Sequence, residues 1–143
     1  MAGMDVIEMN ITTIAKLYLL TIPIFLVIDL IWLGILARSF YQKHLGGLMA
    51  EQVNWGAAFL FYLLFIAGIL IFAVVPALQR NSIMHAVIYG ALFGLFTYAT
   101  YDLTNLATLK NWPAAVVWVD IAWGIVLSGS VAGLSCMAGR WIG

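Results

Sequence analysis

Charge is scarce in this chain. Among 143 residues there are six Lys and Arg and six Asp and Glu, so charged side chains make up 8% and the formal net charge is zero, against about 25% charged residues in an ordinary soluble domain. Twelve charges cannot solvate the outside of a 15.7 kDa particle, so an apolar exterior has to face lipid. A neutral chain without a basic cluster excludes nucleic acid as a partner. Cysteine is reduced to Cys136, which excludes an internal disulfide and a cysteine-ligated cluster. The two histidines, His44 and His85, form no His-x-x-x-His or Glu-x-x-His set, so no zinc or di-iron centre, haem or other cofactor is expected. A carboxylate site for a hard cation stays open. Gly-rich phosphate loops and a Ser-His-Asp order are missing too.

What is present is apolar length. Hydrophobic residues make up 65% of the chain and the mean hydropathy is +1.08. A membrane helix needs about 20 mostly apolar residues, and four stretches qualify: 17–36, 55–78, 83–109 and 114–137. The runs are continuous and too long for the alternating segments of a membrane barrel. The expected fold is therefore all-α, a polytopic membrane protein in which residues 1–143 form one bundle of four transmembrane helices. Pro23 is expected to kink the first helix, and Pro113 to stand in the first turn of the last. The first basic residue, Lys16, follows Asp5 and Glu8, a pattern unlike a cleaved signal peptide, so the first helix is expected to remain; residues 1–13 read as a short tail. Lys16, Arg80 and Arg140 fall on one side of the bilayer, and Arg38, Lys43 and Lys110 on the other. Three against three leaves the positive-inside rule nothing to act on.

Three carboxylates interrupt the apolar runs: Asp29, Asp102 and Asp120. Each costs roughly 2.5–3.5 kcal/mol to insert at a helix centre. Asp29 lies nine residues before Arg38, Asp102 eight before Lys110, and Asp120 eight after Trp112. At about 1.5 Å per residue, all three sit roughly 12–13 Å inside the same face, in one layer. Asp29 has Trp32 at i+3 and Asp120 has Trp123 at i+3, so one Asp-x-x-Trp pattern repeats on antiparallel helices. The third helix presents Tyr98, Tyr101, Asp102 and Asn105 as a polar stripe, widened by Thr97, Thr100 and Thr104. Such groups can simply hydrogen-bond between helices at about 0.6–2 kcal/mol per contact. No Lys or Arg lies deep enough to neutralise the layer, so at least one carboxyl is expected to hold a proton, or a cation to sit among them.

The run 101–113 (Tyr-Asp-Leu-Thr-Asn-Leu-Ala-Thr-Leu-Lys-Asn-Trp-Pro), with Asp29-Leu30-Ile31-Trp32 and Asp120-Ile121-Ala122-Trp123-Gly124, resembles a family of small bacterial four-span membrane proteins catalogued as a domain of unknown function, family 2177. The resemblance covers nearly the whole chain. It implies four helices, a bacterial origin and a multi-pass place in the inner membrane. Relatives are often encoded beside enzymes that modify fatty acids, which implies a lipid connection. It carries no established activity or catalytic residue.

Lys110, Asn111 and Trp112 lie at the mouth above the carboxylates, as interfacial anchors or, for Lys110, as a contact for a phosphate or carboxylate. Trp32, Trp123 and Tyr101 can offer cation–π faces to a positive group. Gly90-x-x-x-Gly94 and Gly129-x-x-x-Gly133 allow close helix approach in the opposite half of the bilayer. Gly129 is about 180° around its helix from Asp120, so that groove is expected to receive a second copy of this chain or the second helix. The expected function is a one-sided cavity between helices 1, 3 and 4. It binds or transports a small cationic or amphiphilic molecule, a lipid headgroup included, linked to protons through Asp29, Asp102 or Asp120. The ligand-binding set is Asp29, Trp32, Tyr98, Tyr101, Asp102, Asn105, Lys110, Asp120 and Trp123. A membrane-embedded lipid-modifying enzyme and an accessory subunit of a larger membrane complex are the alternatives.

Overall fold

Asn10 sets where the first helix begins: its side-chain oxygen accepts from the Thr13 backbone N–H at 2.9 Å. In the computed structural model, which describes residues 7–142, α1 (Ile11–Ile31) runs into a π turn, Trp32–Leu36. A short surface helix follows, α2 (Arg38–Leu45). The second span is α3 (Trp55–Ile69), a π turn over Leu70–Val74, and α4 (Val75–Gln79). The third and fourth are α5 (Ile83–Thr108) and α6 (Ala114–Ile142). Four helices are long and apolar enough to cross a membrane, Ile11–Leu36, Trp55–Gln79, Ile83–Thr108 and Ala114–Ile142, and the described residues contain no strand.

Several expectations are corrected at the ends. The first helix starts at Ile11 and not at 17, because the Asn10 side chain caps it there and its first turns run through Thr12, Thr13 and Lys16 before the continuous apolar run. Residues 1–6 of the expected tail lie outside the described residues. The last helix continues to Ile142, and Arg140 donates to the Asn81 carbonyl at 3.0 Å. Pro113 precedes α6, and its carbonyl accepts from Val116 N at 3.1 Å. Pro23 sits inside α1 without ending it. The irregularity of the first span falls later, where Ala37 N bonds to Trp32 O at 2.8 Å across five residues. The π turn before Pro76 has a direct cause, since proline offers no N–H and crowds the carbonyl four residues back.

Each span buries a stripe at helical spacing. On α1 it is Leu17, Thr21, Phe25 and Asp29; on α5 it is Ala86, Gly90, Gly94 and Asp102. Four residues forward on α5 match four back on α6, so Gly90 faces Ala132, Gly94 faces Gly124 and Ser128, and Tyr98 lies on Gly124. A Cβ on Gly94 would come 2.0 Å from the Gly124 carbonyl, and one on Gly124 would enter the Tyr98 ring at 2.3 Å. Helix α6 is buried on most of its circumference through the half that follows Gly124. Gly129 and Gly133 approach Val87 and Ala91 of α5 in the same chain, not the second helix. An open groove of about 400 Å³ lined by Val87, Gly129, Gly133 and Met137 runs beside them, and a second copy of the chain would have to use it.

The core is concentrated at the end carrying the Arg80–Ser82 turn, where Leu17, Leu70, Val74, Leu78, Ala86, Val131 and Cys136 are fully or almost fully buried. The second span stays beside α5 along Leu70–Gln79 and draws away from it along α3. Along α3 the gap is bridged by the ring contacts of Phe65, to Phe93 at 5.2 Å and Tyr98 at 6.0 Å, and by Gly68, which sits on the Phe93 ring.

Candidate functional site

The divergence of α3 from α5 leaves a half-open cavity of about 520 Å³ at the end opposite the packed core. Its walls are Leu33 of the first span, Phe61, Tyr62 and Phe65 of α3, Thr97, Tyr98 and Tyr101 of α5, and Trp123 of α6, with Asp29 and Asp120 as its carboxylates. All four spans contribute, where three were expected. Phe61 and Tyr101 on opposite sides are about half exposed, so the mouth opens sideways between the second and third spans.

Asp29 reaches this place as the last member of the buried stripe on α1. Its Oδ1 accepts from the Trp123 indole N–H at 3.3 Å, and its Oδ2 from the Tyr62 hydroxyl at 3.3 Å. Asp120 Oδ1 accepts from the Tyr41 hydroxyl at 2.6 Å, and Tyr41 in turn accepts from the Trp32 N–H at 3.2 Å. Each tryptophan thus serves the aspartate of the other helix, Trp123 directly and Trp32 through Tyr41. The sequence pattern had paired each with the aspartate on its own helix. The two indoles stack with centroids 4.5 Å apart and planes 8° from parallel.

Asp102 is fully buried and lies behind the cavity wall. The glycine register of α5 on α6 turns it towards Asp120, with the Trp112 indole as its other polar neighbour. Neither Asp102 oxygen has a hydrogen-bond partner, and neither does the buried Trp112 N–H. The Trp112 ring meets Tyr101 edge-on at 5.8 Å. An unpartnered buried carboxyl is costly, and a second carboxyl beside it can relieve that cost only by sharing a proton with it.

The remaining expected residues separate. Tyr98 and Tyr101 line the cavity, Trp32 backs it through the stack, and Asn105 lies beside Tyr101. Lys110 is exposed and does not line it. The threonine hydroxyls turn back onto their own helix: Thr97 to Phe93 O at 2.7 Å, Thr100 to Phe96 O at 2.5 Å, and Thr104 to Thr100 O. Among the described residues no three His, Cys, Asp or Glu side chains form a set that could hold a metal ion.

Tyr41, Tyr62, Phe61 and Phe65 were missed. Tyr62 is the one hydroxyl-bearing side chain in the apolar second span, a readable signal; Tyr41 sits in a segment read as a connection, and only its fold-back over Asp120 reveals it. Burial, and then the bond to Asp120, hold the Tyr41 hydroxyl protonated well above the ordinary tyrosine range.

Four membrane-crossing helices with one carboxylate-bearing cavity define the class as a small polytopic membrane protein. The profile of the family described as predicted membrane protein (DUF2177) matches residues 14–137, and the chain belongs to that family. No curated protein and no solved structure matches it.

Proposed function

We propose that this protein binds or transports a small amphiphilic cation in the lateral cavity, within a bacterial inner membrane, and that the Asp102–Asp120 pair exchanges a proton as it does so. The carrying observation is the composition of the cavity: aromatic and aliphatic walls holding two carboxylates and no cation of their own. Walls of that kind favour an apolar body. Carboxylates beside the faces of Trp123, Tyr98 and Tyr101 favour a positive head, by Coulombic attraction and cation–π contact. A neutral amphiphile would bring no opposite charge to the two carboxylates, and an anionic one would be repelled.

Asp102 supplies the proton link. With one proton between them, Asp102 donates to Asp120, and the otherwise orphaned buried oxygen gains its partner. A cation arriving at Asp120 favours the fully ionised pair and expels that proton.

The test uses purified protein in a neutral detergent, with dodecyltrimethylammonium as a probe of fixed charge and dodecanol as its uncharged counterpart. The cation is expected to bind at least tenfold more tightly than the alcohol. Asp120→Asn should remove that preference, and a pH dye in weakly buffered solution should record proton release that Asp102→Asn abolishes. Equal affinity for both probes would refute the cation site. Binding without proton release in the wild-type protein would refute the proton link.

A further inference from the structure

A second cavity, of about 450 Å³, adjoins the first beneath α2, lined by Leu33, Gly34, Arg38, Tyr41, Gln42, Leu45 and Met49. Leu33 lines both, and Tyr41, which lines the second, donates to Asp120 in the first. The two spaces therefore meet at the Tyr41–Asp120 bond. Their chemistry is opposite. The first offers carboxylates, and the second offers the Arg38 guanidinium, which has no hydrogen bond or ion pair among the described residues. Helix α2 carries Arg38, Lys43 and His44 and no acidic residue.

We propose that the ligand is an aminophospholipid whose amine lies against Asp29 and Asp120 while its phosphate is held by Arg38 beside Gln42. This rests on the cation-site reading and names its ligand class. Arg38, Tyr41 and Gln42 share one face of α2, because side chains three and four apart on a helix lie about 5–6 Å apart at Cβ. Tyr41 donates to Asp120, so the face of the α2 helix that carries Arg38 is joined to the carboxylate end of the first cavity. An ethanolamine headgroup carries its phosphate and its amine two carbons apart, one group for each of the two adjoining cavities. Guanidinium binds phosphate through paired, charge-assisted hydrogen bonds. Gly34 leaves the boundary clear, since a Cβ built there would meet nothing within 4 Å. The half-exposed aromatic rim and Leu45 with Met49 provide apolar surface for acyl chains. An amine without phosphate would leave Arg38 unused. Phosphatidylglycerol would bring a phosphate but present no cation to the carboxylates.

Native mass spectrometry of the full chain, released from neutral detergent, can compare dioleoyl phosphatidylethanolamine, dioleoyl phosphatidylglycerol and water-soluble phosphoethanolamine. The ethanolamine lipid should be retained at least tenfold more than the glycerol lipid, and phosphoethanolamine should not be retained. Arg38→Gln should lower the preference for the ethanolamine lipid over dodecyltrimethylammonium about tenfold, with Arg38→Lys restoring part of it at an unchanged melting temperature. If Arg38→Gln leaves that preference intact while Asp120→Asn weakens both ligands, the cation site stands and the phosphate assignment falls. If neither ligand responds to Asp120→Asn or Asp29→Asn, both fall together. Retention of phosphoethanolamine as strong as that of the lipid would overturn the lipid as ligand, as would equal retention of the glycerol lipid.

Discussion

Trp32 and Trp123 stand 91 positions apart in the sequence and stack face to face at 4.5 Å, and their N–H groups run crosswise to the two cavity carboxylates, one of them through Tyr41. The stack joins the first and fourth spans beside both cavity carboxylates. Trp123→Phe keeps an aromatic ring there and removes the Asp29 donor. It is expected to destabilise the bundle by about 1–3 kcal/mol, the cost of an unmade buried hydrogen bond. A thermal melt in detergent reads this, and an unchanged melting temperature would mean that Tyr62 alone satisfies Asp29.

Tyr41 gives a pH dependence. Its hydroxyl stays protonated above the ordinary tyrosine value of 10 because of burial and its bond to Asp120. The folded state therefore holds this proton more tightly than the unfolded chain. Its contribution is fully present below about pH 10, the unfolded tyrosine value, and is lost as pH rises beyond it through the folded value. Melting temperatures measured from pH 8 to pH 11 should fall at the alkaline end, and Tyr41→Phe should flatten that fall. An equal decline in both proteins would dissociate it from Tyr41.

Gly94 allows the close approach of α5 to α6. In Gly94→Ala the added Cβ meets the Gly124 carbonyl at 2.0 Å, so two backbones must separate. Overpacking of this kind costs about 1–3 kcal/mol or more. Gly34→Ala is the control, since its Cβ enters open space, and its melt should shift by no more than about 0.5 kcal/mol. Equal effects of the two changes would remove the packing argument.

Asn111 has φ of 61° in the connection before α6. That left-handed conformation is open to Gly and Asn but costs other residues roughly 1–2 kcal/mol. Asn111→Gly should melt like the wild type and Asn111→Val several degrees lower. A neutral valine would show that the connection relaxes.

The four spans were legible because length and continuity of apolar runs are local properties of a sequence. That Asp29 and Asp120 belong together, with Asp102 beside Asp120, was within reach too, since counting residues from the helix ends puts them at one level. Which face each residue takes was not. The π turn at Trp32–Leu36 adds a residue to one turn of the helix and breaks simple 3.6-residue phasing just where Trp32 is placed. The burial of Gly129 and Gly133 against α5 depends on α6 being surrounded, and one helix read alone cannot show that. Tyr41 needed the fold-back of α2, a tertiary event with no periodic signature. The Asp102–Asp120 register was within reach, because the small residues at Gly90 and Gly94 already fixed how α5 and α6 align.

The contrast between the packed and the open end has a mechanical consequence. The second and third spans are packed together towards the Arg80–Ser82 turn, and along α3 Phe65 and Gly68 bridge the gap to α5. A span of this length is about 37 Å at 1.5 Å per residue, so a tilt of about 5° at the turn moves its far end by about 3 Å. Such a tilt would pivot at the packed turn and change the mouth against the rings of Phe65, Phe93 and Tyr98.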